Sequence, residues 1–500
     1  MVVKRDRKAA FYDAQASRGL DEAVRQGLPI SGIELMRRAA RAAFDILLRE
    51  YPHARRWLVF AGKGNNAGDA YLIASLAQAQ GLEVDLRSVV ECEELEGDAA
   101  IAHAEARAAG VPISRDIEFE ASAHDLVVDG LLGTGFHGAL RPAYAEAVAC
   151  INNSGLPVIG IDIPSGVDAS TGGAQEAIRA ERTVTFISRK VGTFTGAGKA
   201  CSGTMHFADL GVPPHLYPAP SVGTCSWYSQ RLPEPSESAY KHQLGQVLVV
   251  GGDRGMPGAV AMAAEAALRV GAGMVTVATH PEYGSALLGR LPEAMTVDAS
   301  GAQFRERLEV ADIVVLGPGL GRNVWGEERF SAVVDSGLPV VLDADGLYWL
   351  SKTGKWQGGP LYMTPHAAEA SALLSVSVAE IEQDRIGSAC LLAERFNARV
   401  VLKGPGSVLR LTDHSEICTH GNQGMASAGM GDVLAGIAGG VLAGAIRSAA
   451  SQALLDERFS AGVALHSAAA DRAAARVGRR SLIATDVILA LPETMMAGGR

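Results

Sequence analysis

The sequence predicts an α/β fold with two doubly wound domains, and three observations lead to that prediction. Short β-branched runs alternate with helix-forming stretches rich in alanine and leucine along most of the 500 residues. The β-branched runs are apolar throughout, as parallel strands are when helices cover both faces of a sheet. Six prolines between residues 213 and 235 interrupt the alternation once. We therefore predict a first domain over residues 1–218, a linker over 219–237 and a second domain over 238–500.

The predicted strands recur at the spacing of strand–helix units. In the first domain we expect strands over residues 57–61, 83–89, 126–131, 157–162 and 183–187. In the second domain we expect strands over residues 246–250, 274–278, 312–316, 339–342 and 399–402.

Composition and charge exclude several classes of protein. Hydrophobic residues make up 48% of the chain and charged residues 20%, which excludes a largely disordered protein. The net charge is −10 and neither half is basic, so we expect no nucleic-acid partner. The first eight residues lack a signal-peptide pattern, and the longest apolar stretch, residues 433–446, is too short to span a bilayer. The six cysteines form no C-x-x-C pair. We expect a cytoplasmic protein without membrane association.

The first predicted strand is followed by a loop rich in glycine and asparagine, Gly62-Lys63-Gly64-Asn65-Asn66-Ala67-Gly68-Asp69-Ala70, and then by a helix from about residue 71. Glycines allow the backbone to approach a ligand closely, and amides at a helix start favour anions. The loop is not a Walker motif, because no Gly-Lys-Ser/Thr closes it. By itself it fits a ligand site or a simple turn equally well.

Two further strand ends in this half carry polar side chains. Asp129 precedes residues 130–138, which include a G-x-G-x-x-G match at 133–138, and Asp162 precedes Ile163-Pro164-Ser165-Gly166. Ligands bind beyond the carboxyl ends of strands in open α/β sheets. Three polar loops at such ends therefore indicate a site.

These segments resemble the G-x-G-N-N-G-G-D-G, D-x-x-x-G-T-G and D-I-P-S-G motifs of the NAD(P)H-hydrate epimerases, in order and spacing. The resemblance covers roughly residues 10–215 and implies a Rossmann-like three-layer domain. It implies a substrate site formed by Asn65, Asn66, Asp69, Gly133, Thr134, Gly135, Phe136, His137, Gly138, Ala139 and Asp162, with the stretch from Gly133 to Ala139 around the phosphates.

The same resemblance implies that Asp162 is the catalytic acid/base. It also implies that Asn66, Asp129 and Ser165 hold a potassium ion, a hard cation suited to their oxygen atoms. The chain has Ala67 and Ala70 where the family has glycine. Alanine would be strained at either position if the backbone needed a positive φ.

The second half carries a longer series of polar strand ends. The segments are Gly255-Met256-Pro257-Gly258-Ala259, Gly317-Pro318-Gly319-Leu320-Gly321, Asp343-Ala344-Asp345, Thr364-Pro365-His366, Lys403-Gly404 and the stretch 421–432, which ends in Gly429-Met430-Gly431-Asp432. A G-x-G-D turn that opens a buried helix directs backbone amides at negative charge, beside a carboxylate. This pattern predicts a nucleotide site of the ribokinase-like type.

Each of these residues also has a simpler interpretation. His366 alone would more often be a hydrogen-bonded turn histidine. Asp343, Asp345 and Asp432 could cap helix starts, and Lys403 could be a solvated cation at a strand end.

The second half resembles the ADP-dependent NAD(P)H-hydrate dehydratases over roughly residues 238–495. The resemblance implies hydrate contacts from Ala259, Gly319, His366 and Asp432, with Asp432 as the catalytic carboxylate. It implies ADP contacts, with magnesium, from Lys403, Gly404, Pro405, Gly406, Ser407 and Gly431. The chain has Ala367-Ala368 where the family usually has proline and glycine.

Together the two resemblances imply a bifunctional enzyme that repairs hydrated NADH and NADPH. The first domain would interconvert the two hydrate epimers, and the second would dehydrate the S epimer with ADP. We expect small-molecule substrates and a homo-oligomer. Two alternatives stay open from the residues: a ribokinase-like small-molecule kinase with a degenerate or nucleotide-sensing first domain, and a nucleotide-binding protein without activity.

Overall fold

The computed structural model describes residues 9–497, so the N-terminal residues used for the signal-peptide prediction lie outside the described chain. The chain divides into two compact units, Met1–Gly223 and Thr224–Arg500. The division falls inside the stretch that we predicted as a linker. Part of that stretch is ordered in the second unit, where Cys225 and Trp227 are buried in its core.

The first unit alternates strands and helices from residue 11 onward. Its strands are β1 (Phe11–Tyr12), β2 (Arg56–Ala61), β3 (Glu83–Ser88), β4 (Ile113–Ser114), β5 (Leu126–Gly130), β6 (Val158–Ile161), β7 (Arg182–Phe186), β8 (Arg189–Lys190) and β9 (Thr204–Ala208). Its helices are α1 (Ala14–Gly27), α2 (Gly32–Glu50), α3 (Asn65–Ala79), α4 (Gly97–Ala108), α5 (Pro142–Asn153) and α6 (Gly196–Ser202).

Within residues 9–223, the central sheet has seven strands in the order β4-β3-β2-β5-β6-β7-β9, and each neighbouring pair is parallel. Apart from the edge strand β9, this is the doubly wound order of the Rossmann fold. The chain runs outward from β2 to β4 and then returns to place β5 beside β2. That reversal leaves a crevice at the carboxyl ends of β2 and β5, where ligands bind in such sheets.

The second unit continues the numbering. Its strands are β10 (Gly223–Cys225), β11 (Gln246–Val250), β12 (Met274–Thr279), β13 (Met295–Asp298), β14 (Ile313–Leu316), β15 (Val340–Leu342), β16 (Leu361–Met363), β17 (Ala398–Leu402), β18 (Val408–Arg410) and β19 (Ser415–Cys418). Its helices are α7 (Pro257–Arg269), α8 (Gly284–Arg290), α9 (Ala302–Val310), α10 (Val324–Asp335), α11 (Ala344–Thr353), α12 (Ala367–Leu374), α13 (Val378–Gln383), α14 (Arg385–Phe396), α15 (Met430–Arg447), α16 (Gln452–Val477) and α17 (Ala484–Ala497).

In the described part of this unit, ten strands form one sheet in the order β10-β19-β18-β17-β16-β15-β14-β11-β12-β13. The pairs from β13 to β17 are parallel, and the pairs β17–β18 and β18–β19 are antiparallel. The chain reverses direction between β11 and β14, so a second crevice opens at their carboxyl ends. All ten predicted strands are present, with ends displaced by at most one residue, and the α/β prediction is confirmed.

Helix α15 contains the apolar stretch that we judged too short to span a membrane. That judgement was wrong on length, because the helix runs over 18 residues and passes the length and composition test for a membrane span. However, 72% of it is buried inside the protein. A Cβ at Gly436 would lie 2.1 Å from the Ala263 carbonyl oxygen, and one at Gly439 would lie 2.4 Å from Val315 Cγ2. Its glycines therefore serve close packing against α7 and β14.

Candidate active sites

A cavity of about 790 Å³ opens at the carboxyl ends of β2, β5 and β6 in the first unit. Its lining brings together all but one of the predicted substrate residues, namely Asn65, Asn66, Asp69, Gly133, Thr134, Gly135, Phe136, His137, Ala139 and Asp162. Gly138 is the predicted substrate residue that does not line this cavity in the described part of the chain. The crevice expected from the strand order is therefore also where the three polar loops meet.

Helix α3 begins at Asn65, six residues earlier than we predicted. Gly64 is its N-cap, and the amides of Ala67 and Gly68 donate to the Gly64 carbonyl at 3.0 and 3.2 Å. The asparagines thus lie in the first helical turn rather than in a loop. Ala67 and Ala70 are fully buried in this helix, and neither has a positive φ. The departure from the family's glycines therefore introduces no backbone strain.

Three oxygen-bearing side chains converge behind this cavity. Asp129 is fully buried; its Oδ1 accepts from Ser165 Oγ at 2.6 Å and its Oδ2 from the Ser165 amide at 2.8 Å. Asn66 donates through Nδ2 to the Leu132 carbonyl at 2.7 Å, while its Oδ1 is buried without a hydrogen-bond partner among the described residues. Burial raises the pKa of Asp129 to about 6, against the lowering effect of Ser165. The Leu132 backbone links Asn66 to Ser165, because the Leu132 amide donates to Ser165 Oγ at 2.8 Å. An unsatisfied amide oxygen, a carboxylate and a hydroxyl are oxygen donors that suit a hard cation.

Asp162 follows β6 with a backbone φ of 65°, a conformation that is uncommon for non-glycine residues. Its Oδ1 accepts hydrogen bonds from Lys190 Nζ, from Thr185 Oγ1 at 3.2 Å and from the Phe186 amide at 3.2 Å. Lys190 is 4% exposed and lines the same cavity. Lys190 was not among the predicted site residues. Its position shortly after the end of β7 could have indicated a role in the site.

Two more carboxyl groups line the cavity beside this ion pair. Burial, followed by the charges of Asp162 and Asp21, raises the pKa of Asp69 well above its usual range. Burial raises the pKa of Asp21 to about 6, although Lys190 lowers it. The site therefore combines a carboxylate paired with lysine and two carboxyl groups with raised pKa values, as acid–base sites do.

In the second unit the turn before α15 aims the helix start at a cluster of charges. Gly429 is the N-cap, with a φ of 88°, and Asp432 lies in the first turn. The cap interpretation of Asp432 is therefore wrong: its side chain accepts no capping hydrogen bond. A Cβ at Gly431 would lie 3.1 Å from Asp343 Oδ2 and 3.3 Å from Lys403 Nζ. Burial, then the charge of Asp343, raises the pKa of Asp432 to about 7.

Asp343 and Lys403 form an ion pair across the ends of β15 and β17. Lys403 Nζ lies 2.6 Å from Asp343 Oδ1, which also accepts from Thr364 Oγ1 at 2.8 Å. Asp343 is 1% exposed. Burial alone would lower the pKa of Lys403, but the charges of Asp343 and Glu369 raise it above the ordinary value. Lys403 is thus a paired, partly buried cation, and Asp343 makes no side-chain cap for α11.

His366 is the N-cap of α12, as the simpler interpretation of this residue suggested. Its Nδ1 accepts from the amides of Ala368 and Glu369 at 3.1 and 3.2 Å, and Glu369 Oε2 accepts from the His366 amide at 2.7 Å. Burial, followed by Lys403, lowers the pKa of His366, so its ring is neutral and carries its proton on Nε2. Glu369 Oε2 lies 3.8 Å from Lys403 Nζ, which joins the cap to the charge cluster.

The remaining predicted residues lie on either side of this cluster. Lys403 to Ser407 form the turn between β17 and β18, in which the Gly404 amide donates to Ser407 Oγ at 3.3 Å. Ala259 opens α7 on the other side, and a Cβ at Gly319 would lie 3.3 Å from its Cβ. The predicted ADP residues thus follow β17, and two of the predicted hydrate residues lie at the β11–β14 crevice.

Two residues of this cluster were absent from the predicted site. Burial raises the pKa of Glu369 to about 7, against the effect of Lys403. His466, on α16, is 5% exposed, and burial followed by Lys403 lowers its pKa to about 4. Its Nε2 has no hydrogen-bond partner among the described residues. Glu369 could have been predicted, because it lies three residues after His366 of the Thr364-Pro365-His366 segment. Nothing in the helical pattern around His466 distinguishes that residue from its neighbours.

Each unit matches a known protein family, and the whole chain is similar to known proteins. Residues 32–192 match the family described as YjeF-related protein N-terminus, and residues 247–493 match the NAD(P)H-hydrate dehydratase family. The chain is 41% identical to the bifunctional NAD(P)H-hydrate repair enzyme Nnr of Coxiella burnetii, over 92% of this chain and 94% of that protein. It is 39% identical to the Escherichia coli enzyme of the same name, over 96% and 93%.

Among solved structures, the chain is similar to an ADP/ATP-dependent NAD(P)H-hydrate dehydratase from Bacillus subtilis that was co-crystallised with ATP and Mg²⁺. The identity is 25%, the match covers 54% of this chain and 96% of that one, and the TM-score is 0.48.

Proposed function

This chain belongs to the family of bifunctional NAD(P)H-hydrate repair enzymes, and from that premise we propose how its two sites divide the repair. The first unit interconverts the epimers of hydrated NADH and NADPH. The second unit dehydrates the S epimer with ADP. One observation supports both halves: each unit places its predicted catalytic carboxylate near a lysine, at the carboxyl ends of its strands. Family membership favours this function over the kinase alternative.

For epimerisation, the hydroxyl group takes up a proton and leaves as water while the ring nitrogen lone pair makes its carbon planar, and water then adds to the other face and gives up a proton. Such a reaction needs one group that takes up a proton and another that supplies one. We propose that Asp162, held by Lys190, takes up the proton and that Asp69 or Asp21 supplies it. The raised pKa values of Asp69 and Asp21 support this division of roles.

We propose that Asn66, Asp129 and Ser165 hold a potassium ion in the first unit. The buried Asn66 Oδ1 without a partner supports this proposal, because a buried acceptor left unsatisfied is costly. When bound, the ion would add positive charge next to the phosphate-binding loop over residues 133–139. The protein's own contribution is the rigid placement of Asp129 by the Ser165 amide and hydroxyl.

For dehydration, the ring nitrogen lone pair helps to break the C–O bond, the hydroxyl group takes up a proton and leaves as water, and a proton leaves the adjacent carbon. We propose that Asp432 takes up the proton released in this elimination, while the Nε2–H of His366 orients the hydrate. The ion pair of Lys403 and Asp343 holds one positive and one negative charge beside the start of α15. ADP with magnesium would be held by Lys403–Ser407 and Gly431, and it would supply phosphate groups to this site. Among the described residues no group of three or more His, Cys, Asp or Glu side chains could hold a metal, so we propose that the nucleotide phosphates carry the magnesium.

We further propose that the protein is a cytoplasmic homo-oligomer that acts on small molecules without nucleic acid or membrane. The burial of α15 and the net charge of −10 support the part of this proposal that concerns membranes and nucleic acid. Sedimentation velocity of the purified chain would test the oligomeric state. Co-sedimentation with lipid vesicles would test whether the protein binds a membrane.

The direct test uses the full chain, a mixture of both hydrate epimers, and absorbance at the reduced-nicotinamide band. With ADP we expect recovery of all the hydrate, and without nucleotide we expect none. In Asp162→Asn, recovery should stop once the S epimer is consumed, apart from slow spontaneous epimerisation. A phosphorylated product without recovered absorbance would instead establish the kinase alternative.

A further inference from the structure

A second polar cluster lies beyond the crevice of the second unit, at the carboxyl ends of β11 and β12. It consists of Asp253, Arg254, His280, Asn323 and Trp325, and we call it the His280 cluster. Asp253 follows β11, His280 follows β12, and Asn323 is the N-cap of α10 beyond β14. Neither the predicted hydrate contacts nor the predicted ADP contacts include any of these residues.

The ring of His280 is held firmly from several sides. His280 Nε2 lies 2.8 Å from Asp253 Oδ1, and Asp253 Oδ2 accepts from Asn323 Nδ2 at 2.7 Å. The Trp325 ring stacks on His280 with centroids 4.4 Å apart at 21°, and Tyr283 contacts it edge-on. Burial disfavours the Asp253 carboxylate, yet hydrogen bonds from His280 and Asn323 lower its pKa overall. An ionised Asp253 fixes the proton of His280 on Nε2 and directs Nδ1 away from it.

The cluster contains more hydrogen-bonding groups than its internal contacts use. Within residues 9–497, His280 Nδ1 has no partner, and Trp325 Nε1 is buried without one. Arg254 is exposed and forms no ion pair with the described chain. If the Asp253–His280 contact served only to join two loops, it would not explain why these three polar groups lie together without a partner in the described chain. They fit a ligand that carries both hydroxyl and phosphate oxygens.

The position of the cluster along the sheet suggests which ligand that is. Asp343 follows β15, and three strand spacings of about 4.8 Å separate β15 from β12, or about 14 Å in all. The ADP residues follow β17, in the opposite direction. A dinucleotide whose nicotinamide lies beside Asp432 must place its second nucleotide away from ADP. That direction leads across the β11–β14 crevice to His280.

Given the proposed dehydration, we propose that the His280 cluster binds the adenosine phosphate half of the dinucleotide hydrate. His280 Nδ1 accepts a hydrogen bond from a ribose hydroxyl, and Arg254 lies against the phosphates. The cluster is thus a binding element that favours dinucleotide hydrates over mononucleotide hydrates and takes no part in the chemical step.

The test compares two substrates that share a ring and differ in the second nucleotide: hydrated NADPH and hydrated reduced nicotinamide mononucleotide. In His280→Ala we expect the KM for the dinucleotide hydrate to rise up to about tenfold, as for a lost hydrogen bond to a hydroxyl, with kcat within twofold of the parent. The KM for the mononucleotide hydrate should not change. His242→Ala, an exposed histidine in the same unit, is the matched control and should behave as the parent.

A binding measurement keeps the inference separate from the proposed reaction. The dissociation constants of NADPH and of reduced nicotinamide mononucleotide are titrated on the full chain, and His280→Ala should weaken only the dinucleotide. Failure of the proposed function would appear as no recovery of absorbance in the parent, and the binding comparison would still decide the role of the cluster. Should His280→Ala fail to fold, His280→Gln keeps a donor toward Asp253 and carries the same expectation. Equal weakening of both ligands, or of neither, would overturn the inference.

Discussion

Replacing Lys403 by methionine is expected to destabilise the second unit strongly, because the buried Asp343 carboxyl group would lose its partner. Asp343 is 1% exposed and lies 2.6 Å from Lys403 Nζ. A carboxyl group left alone in such a place takes up a proton. With an ordinary pKa of about 3.9, its neutralisation at pH 7 costs about 4 kcal/mol. This value is an upper bound, and it agrees with the 3–5 kcal/mol typical of breaking a buried pair from one side.

The sign of the pH dependence follows from the same argument. A buried carboxylate without a partner is penalised only where the unfolded chain has the group ionised, so the penalty starts near pH 4 and grows as pH rises. At pH 5 it should be about 1.5 kcal/mol. The double variant Lys403→Met/Asp343→Asn, which has neither charge, should recover most of the loss at pH 7.

Urea unfolding followed by tryptophan fluorescence suits this measurement, because four of the five tryptophans lie in the second unit, at positions 227, 325, 349 and 356. The parent, both single variants and the double variant are compared at pH 5 and pH 7. A loss below about 1 kcal/mol at pH 7, or a greater loss at pH 5 than at pH 7, would refute the buried-pair reasoning.

Three further predictions concern potassium, nucleotide and pH. Epimerisation should rise with potassium but not with sodium, and Asp129→Ala should abolish the difference; equal rates in potassium-free buffer would exclude the ion site. ADP with magnesium should raise the melting temperature of the second unit by binding its folded state, and differential scanning calorimetry that shows no shift at millimolar ADP would contradict the nucleotide assignment. Since burial and Asp343 raise the pKa of Asp432 to about 7, kcat/KM for dehydration should rise between pH 6 and pH 8 and then level off, because the carboxylate form is the base; a flat profile would count against that role.

The fold could be predicted largely because its central strands are apolar on both faces. The runs at β2, β5, β11 and β14 contain few residues that suit any other element, and their ends fell within one residue of the prediction. The sequence analysis did not predict β16 (Leu361–Met363), a three-residue strand, or the hairpin partner β18 (Val408–Arg410). Strands this short depend on their neighbours for stability and carry little pattern of their own.

The start of α3 shows where loop chemistry misled the prediction. Asparagine and glycine are typical of turns, so the helix was placed at about residue 71. In the structure the Gly64 carbonyl begins the helix, and buried Ala67 and Ala70 pack as helical residues. Tertiary packing outweighed the weak local preference of Asn65 and Asn66.

Site residues at strand ends could be predicted, whereas those brought in by other elements could not. Asp162, Lys403 and Asp432 each follow a strand or open a helix in a recognisable motif. Asp21 and His466 lie within helices, and only the packing of α1 and α16 brings them to the sites. Their role depends on burial and on neighbouring charges, which no spacing in the sequence encodes.

Asp432→Asn tests the central claim most directly, since the account makes Asp432 the base for dehydration and Asp162 the acid/base for epimerisation. Asparagine has nearly the same shape as aspartate, but it cannot take up a proton. The variant should fold as stably as the parent, because the raised pKa of Asp432 means that the folded state disfavours its charge. Both activities are measured on one purified sample. We expect dehydration to fall by about a hundredfold or more while epimerisation and ADP binding persist; dehydration within a few-fold of the parent would contradict the account.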